Sequence, residues 1–267
     1  MDHFLHEQRA YQAWPHLVEC AKNKDTITYG ELAHRLGMHH RPINLTLGKI
    51  QSYCMAENLD PLTILVTDQK GGLGEGFIAW DINNREEGLN KVYNYNWDKI
   101  PNPFEYTTSD NSIEDLAIDL IKPPYSSEKI LSIVNTRGVL QQIFRSALLQ
   151  AYEYQCAFCG LSYIEALEAA HIIPWANSTN EKRVSVENGI LLCATHHKLF
   201  DAGWLTINAE HSIQFSEGKE KYKGGKPIDN TVGPNLHGKR INLPKDKRLI
   251  PSRENVAFRN KKFGWDL

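Results

Sequence analysis

The second half of the chain holds two short pairs of soft ligands. CAFCG places Cys156 and Cys159 as C-x2-C, and CATH places Cys193 and His196 as C-x2-H. Three thiols and one imidazole are the number and type of donors that a tetrahedral structural zinc takes. Gly160, directly after the second cysteine, lets the backbone turn beneath the thiolates. A redox C-x-x-C is the competing chemistry; it needs a strand-to-helix context and leaves Cys193 and His196 without a role. Cys20 and Cys54 sit singly in segments of helical period (Ala13, Leu17, Cys20, Ala21; Ile50, Tyr53, Cys54), which marks them as small buried hydrophobes. Five cysteines in this distribution do not make a disulfide scaffold.

His196 is followed directly by His197 in CATHHKLFD. Successive helix residues are rotated by roughly 100°, so the two rings cannot share a task. If His196 joins the cysteines, His197 points toward the face it shares with Asp201, four residues on. Between the two halves of the cysteine set lies LEAAHIIPW, an apolar strand ending in His171. A polar loop follows (ANSTNEKRVSVE), and then Asn188 opens the apolar strand GILLC.

In order, spacing and context these residues resemble the HNH endonucleases of the ββα-metal superfamily, specifically those with a zinc knuckle woven through the motif. The resemblance runs from about Arg137 to Ile207, near a quarter of the chain. TRGVLQQIFRSALLQAY before the knuckle and HKLFDAGWLTI after it are similar to the McrA-like branch found in restriction enzymes. The resemblance implies that His171 is the general base that deprotonates water and that Asn188 orients it by bracing the loop. It implies that His197, nine residues after Asn188, is a ligand of a catalytic divalent metal, Mg2+ or Mn2+. Asp201 falls where nuclease colicins carry another metal ligand. An imidazole with an ordinary pKa of about 6.5 can accept a proton at cellular pH, and a hard cation on His and Asp stabilises charge on a phosphate. One position departs from the family: many members carry Asp or His directly before the base, and this chain has Ala170. Glu168, on the same strand face as Ala170, is a candidate substitute.

The elements that must position these residues fall into two domains. At 267 residues, 41% hydrophobic and 23% charged, the chain has the composition of ordinary globular protein and the length for two cores. The expected class is α+β: a winged-helix-like DNA-recognition domain over 1–105, a linker over 106–135, and a zinc-containing HNH nuclease domain over 136–267. In the first domain Phe4 to Cys20 reads as a helix that Pro15 kinks or breaks. TITYGELAHRLG reads as a short strand running into a second helix, and INLTLGKIQSYCMAEN as a third. LTILVT and GFIAW read as strands joined by the glycine-rich DQKGGLGEG, which would form the wing. TYGELA and the glycine-rich segment are also similar to the DNA-binding domain of alkyltransferase-like proteins. The Pro-Cys-His-Arg segment is absent, which excludes alkyl transfer. His39, His40, Arg41 and Lys49, near the start of the third helix, are candidate DNA contacts. Proline and serine accumulate in PNPFEYTTSDNS and KPPYSSEK around one short helix, SIEDLAIDLI, as in a linker. An amphipathic helix then carries Leu140, Phe144 and Leu148 on one face, with Arg137 and Arg145 as candidate phosphate contacts.

Net charge is −2, but thirteen Lys or Arg stand against five Asp or Glu from Gly218 onward, including KEKYKGGK, HGKR, PKDKR and RNKK. Such a run is a phosphate-binding surface or simply a solvated tail. The first residues show no basic-then-apolar leader, and no apolar run reaches membrane length, so the expectation is a cytoplasmic protein without a membrane partner. One catalytic centre per chain implies a homodimer on double-stranded DNA. The whole reads as a metal-dependent DNA endonuclease, most simply a restriction enzyme, with dependence on a modified base left open. Two alternatives stay open: a non-catalytic zinc DNA-binding regulator, and an RNA-directed or toxin nuclease.

Overall fold

The computed structural model describes residues 3–123, 125, 127–134, 136–216 and 226–267. Most of KEKYKGGK therefore lies outside the described residues, with only Lys226 inside them. The chain divides into two compact units: Met1–Ser112 with Ile133–Val139, and Ile113–Ser132 with Leu140–Leu267.

Unit 1 begins with α1 (His3–Asn23), β1 (Ile27–Thr28), α2 (Tyr29–Arg35) and α3 (Ile43–Ala56). α1 runs unbroken through Pro15 because its apolar stripe Ala10, Ala13, Trp14, Leu17 and Ala21 is buried along its whole length. Trp14 packs edge-on against Tyr53, Trp97 and Phe104. α2 starts at a capping box: the Thr28 hydroxyl accepts from the Glu31 N–H, and the Glu31 carboxylate accepts from the Thr28 N–H.

The expected wing does not form. Leu62–Leu65 is a 3-10 turn, and the short β2 (Val66–Thr67) pairs in parallel with β1. GFIAW carries no strand. Leu62, Thr63, Ile64 and Leu65 are all buried, and the turn they form packs against α1 and α3. In GFIAW, Phe77 alone is buried and Ile78 is exposed. The glycine-rich segment is shaped by Asp68, whose carboxylate accepts from the N–H groups of Lys70 and Gly72. The winged-helix expectation is thus corrected to helices with a two-residue parallel bridge. α4 (Arg85–Asn94) adds Val92 to the unit's core, and Trp97, in the 3-10 turn that follows, adds its ring.

The segment expected as a linker holds α5 (Ile113–Ile121) and α6 (Ser127–Ile133). Leu116, Ala117, Leu120 and Ile130 are buried, as in packed helices. After α7 (Arg137–Ala151) come β3 (Leu167–His171), α8 (Asn180–Val184), β4 (Gly189–Cys193) and α9 (Ala194–Asp201). β3 and β4 pair antiparallel from Leu167 opposite Cys193 to His171 opposite Gly189. β5 (Leu205–Ile207) and β6 (Ile213–Phe215) form a second small hairpin, followed by α10 (Pro227–Val232) and α11 (Arg253–Lys262). Among the described residues no helix is long and apolar enough to cross a membrane.

Candidate active site

The cysteine set is assembled by two backbone turns. Gly160, at φ +74°, closes the first: its N–H donates to the Cys156 carbonyl, and the Cys156 N–H donates to the Leu161 carbonyl. The second pair stands where β4 passes into α9. The Ala157 N–H donates to the Leu191 carbonyl and ties the first turn to β4, while the Asn242 side chain donates to the Cys156 carbonyl. One ligand atom from each of Cys156, Cys159, Cys193 and His196 lies within 4.8 Å of the others. His196 turns Nδ1 toward the sulfurs, 3.2 Å from Cys193 Sγ and 3.5 Å from Cys156 Sγ. Hydrogen bonding to Cys159 and Cys193 pushes the Cys156 thiol up, whereas hydrogen bonds from Cys156 and Cys159 hold Cys193 far down, toward the thiolate. Burial opposes charge on His196, but Cys159 and Cys193 outweigh it and raise the ring to about 9. Three thiols and one imidazole gathered within 4.8 Å fit a zinc ion by donor type and number.

His171 ends β3 and is fixed from three sides. Its ring stacks on Phe144 at 4.2 Å and meets the edge of Trp175 at 5.6 Å. Its Nε2 lies 2.9 Å from the Arg183 carbonyl. A carbonyl only accepts, so Nε2 carries the hydrogen, and in the neutral ring Nδ1 carries the lone pair. The Arg183 carbonyl belongs to α8, within the segment between β3 and β4, and Asn188, fully buried, braces that segment. Its Oδ1 accepts from the Ile173 N–H at 2.8 Å, and its Nδ2 donates to the carbonyls of Ile173 and Lys182 and to the Ser178 hydroxyl.

His196 and His197 diverge as helix geometry requires. His196 is buried in the cysteine set; His197 is half-buried on another face of α9. There His197 Nδ1 lies 2.6 Å from Glu168 Oε2 and Nε2 lies 3.3 Å from Asp201 Oδ2. An ionised carboxylate only accepts, so Nδ1–H donates to Glu168. An imidazole nitrogen and a carboxylate side by side, as His197 Nε2 and Asp201 stand, are donor types that a divalent cation takes. Glu168 stands on the far ring nitrogen, as the carboxylate of a carboxylate–histidine–metal relay does. The two carboxylates therefore flank His197 rather than gather around one point, and among the described residues only the Cys156 set brings three or more metal-binding groups together.

Residues 156–208 match a family model described as HNH endonuclease. This segment is an HNH endonuclease domain. By family it is a nuclease hydrolase. No curated protein matches the chain. Among solved structures, a "Modification dependent TagI restriction endonuclease" is similar at 15% identity with a TM-score of 0.29. The match covers 44% of this chain and 36% of that one, so it spans little more than a third of that protein's length.

The HNH domain also rests on residues outside the motif. Arg259 of α11 is 2% exposed, with its guanidinium over the Phe200 ring. It donates to the carbonyl of Ile172, the residue after His171, and to that of Phe200, the residue before Asp201. One side chain thus ties the residue after β3 to α9, the helix carrying His197 and Asp201. Asn260 adds bonds to Thr206 and the Ile207 carbonyl. This part of the expected basic tail is a packed helix. Gly189, opposite His171, admits α7: a Cβ there would stand 2.6 Å from Phe144 and 2.8 Å from Leu148.

The six candidate DNA contacts have distinct surroundings. Arg145 donates to the carbonyls of Ile164 and Leu167, at the start of β3, so its guanidinium holds the strand. Lys49 is paired at 2.7 Å with Glu7, whose side chain is buried, which takes its ammonium out of a free surface. Arg41 and Arg137 are exposed. His39 and His40 stack on each other at 4.3 Å beside Arg41. Sequence reasoning missed Arg259 and Asn242; neither has a local signal, since an arginine in a basic run looks solvated until its tertiary partners are known.

Proposed function

We propose that the chain is a divalent-metal-dependent DNA endonuclease of the zinc-knuckle, McrA-like HNH type, acting on double-stranded DNA as a restriction enzyme. The observation that carries this reading is the tethered His171 in the segment that matches the HNH model: the Arg183 carbonyl accepts from Nε2–H and fixes the ring's orientation and tautomer. Asn188 keeps that tether in place, Glu168 fixes the tautomer of His197, and His197 and Asp201 would hold Mg2+ or Mn2+. When bound, such a cation supplies charge stabilisation to the scissile phosphate and the departing 3′-oxygen. Cys156, Cys159, Cys193 and His196 would hold zinc, which supplies folding energy to the domain.

Hydrolysis then needs no covalent intermediate on the protein. His171 takes the proton of the attacking water, Phe144 and Trp175 keep the ring from rotating, and Arg259 keeps the base in register with the His197 helix. The N-terminal unit acts as the target reader, with Arg41 at its exposed edge. One centre per chain cuts one strand, so two chains act on a duplex. Incubating the full chain with supercoiled plasmid and Mg2+ or Mn2+ tests the reading. Nicked and linear products that disappear with EDTA support it. Binding without cleavage marks the regulator instead, and cleavage confined to RNA marks the RNA-directed nuclease.

A further inference from the structure

Unit 1 contains a cavity of about 390 Å³ between the first half of α3 and the glycine-rich segment that follows β2. This volume lies at the lower end of the roughly 300–1,000 Å³ of small-molecule sites, room for one heterocycle and far too little for a helix or a duplex. Tyr29 and Phe77 give it aromatic walls, and Asn44 and Glu75 give it polar ones. Its lining has no lysine or arginine among the described residues. Thr63 also lines it and holds a buried hydroxyl with no hydrogen-bond partner. The wall is pre-formed: the Gln51 amide donates to the Gly76 carbonyl and accepts from the Ile78 N–H, and the Tyr29 hydroxyl accepts from the Gly74 N–H.

Gly48 shows that the space is kept open. It stands inside α3, where glycine costs about 1 kcal/mol relative to alanine, yet a Cβ there would meet nothing within 4 Å. No close packing demands the glycine, and any side chain in its place would project into the cavity.

We propose that this cavity receives a single nucleobase turned out of the DNA duplex, held between aromatic side chains with its exocyclic amine on the Glu75 carboxylate. The choice of a nucleobase rests on the nuclease reading above. Aromatic walls stack a flat ring, and a carboxylate accepts from a base amine. Unit 1 then reads its target by accommodating one base.

The test uses the full chain and free deoxynucleosides as probes, followed by saturation-transfer NMR and by shifts of the Tyr29 and Phe77 resonances. Deoxyadenosine, deoxycytidine or deoxyguanosine should bind and thymidine, which lacks the amine, should not. Gly48→Leu should abolish binding while its melting temperature stays level or rises, and Gly48→Ala should weaken binding part-way. Glu75→Gln should erase the preference over thymidine. No shift at Tyr29 or Phe77 with any nucleoside, or undiminished binding by a folded Gly48→Leu, overturns the proposal. Plasmid cleavage by the unaltered protein separates the two readings: cleavage without nucleoside binding removes the cavity's role alone, and nucleoside binding without cleavage removes the nuclease reading alone.

Discussion

Asn188→Ala removes the brace beneath the candidate base without touching a candidate metal ligand. The side chain makes four hydrogen bonds, but they are not equally costly to lose. The Ile173 carbonyl keeps the Ser178 hydroxyl as a donor, so it stays satisfied. The Ile173 N–H and the Lys182 carbonyl lose the partner that Asn188 provides. Each buried group left unsatisfied costs about 1–3 kcal/mol, so the two together lose roughly 2–6 kcal/mol. That corresponds to a melting shift of about 4–24 °C at the 2–4 °C per kcal/mol of a domain this size. The segment carrying the Arg183 carbonyl would relax, and with it the orientation of His171. Calorimetry, zinc analysis and plasmid-cleavage kinetics on one preparation read all three effects. The expected result is a lower melting temperature with zinc retained and kcat reduced more than KM. Asn188→Asp should be no better, because its carboxylate would face the carbonyls of Ile173 and Lys182. An Asn188→Ala protein with unaltered melting and full cleavage would refute the bracing role.

The adjacent histidines should fail differently: His197→Ala should keep its zinc and its melting temperature while losing cleavage, whereas His196→Ala should lose zinc and destabilise the domain; equal zinc content in the two variants would contradict the division of roles. Glu168→Ala should raise the Mg2+ or Mn2+ concentration needed for half-maximal cleavage by about 10–100-fold, the usual effect of losing a carboxylate behind a ligating histidine, and Glu168→Gln should raise it less; a metal titration checks both. Arg259→Met keeps the apolar stem but removes the bonds to Ile172 and Phe200, hydrogen bonds from a charged group worth about 1.5–3 kcal/mol each; thermal melting should show the loss, with zinc content unchanged.

The site was legible in the sequence to the extent that it is local. Cys156, Cys159, Cys193 and His196 announce themselves by spacing, and the rotation between successive helix residues separates His196 from His197 before any coordinates are needed. Glu168 was legible as a face-sharing neighbour of Ala170, but its place on His197 Nδ1 depends on how α9 crosses the β3–β4 hairpin. Arg259, some sixty residues beyond the motif, acts through two carbonyls, and backbone acceptors leave no trace in residue types. The wing was misread for a related reason. LTILVT has the composition of a strand, but only Val66–Thr67 forms one; Leu62–Leu65, in contact with α1, α3 and α4, is a 3-10 turn.

The central claim is that His171 removes a proton from water in a metal-dependent cut of DNA. The most direct measurement is the rate of plasmid nicking in Mg2+ or Mn2+ by the unaltered protein and by His171→Ala at matched zinc content and melting temperature. The account predicts cleavage that EDTA abolishes in the first and a loss of several orders of magnitude in the second. Cleavage by His171→Ala at the unaltered rate would contradict it.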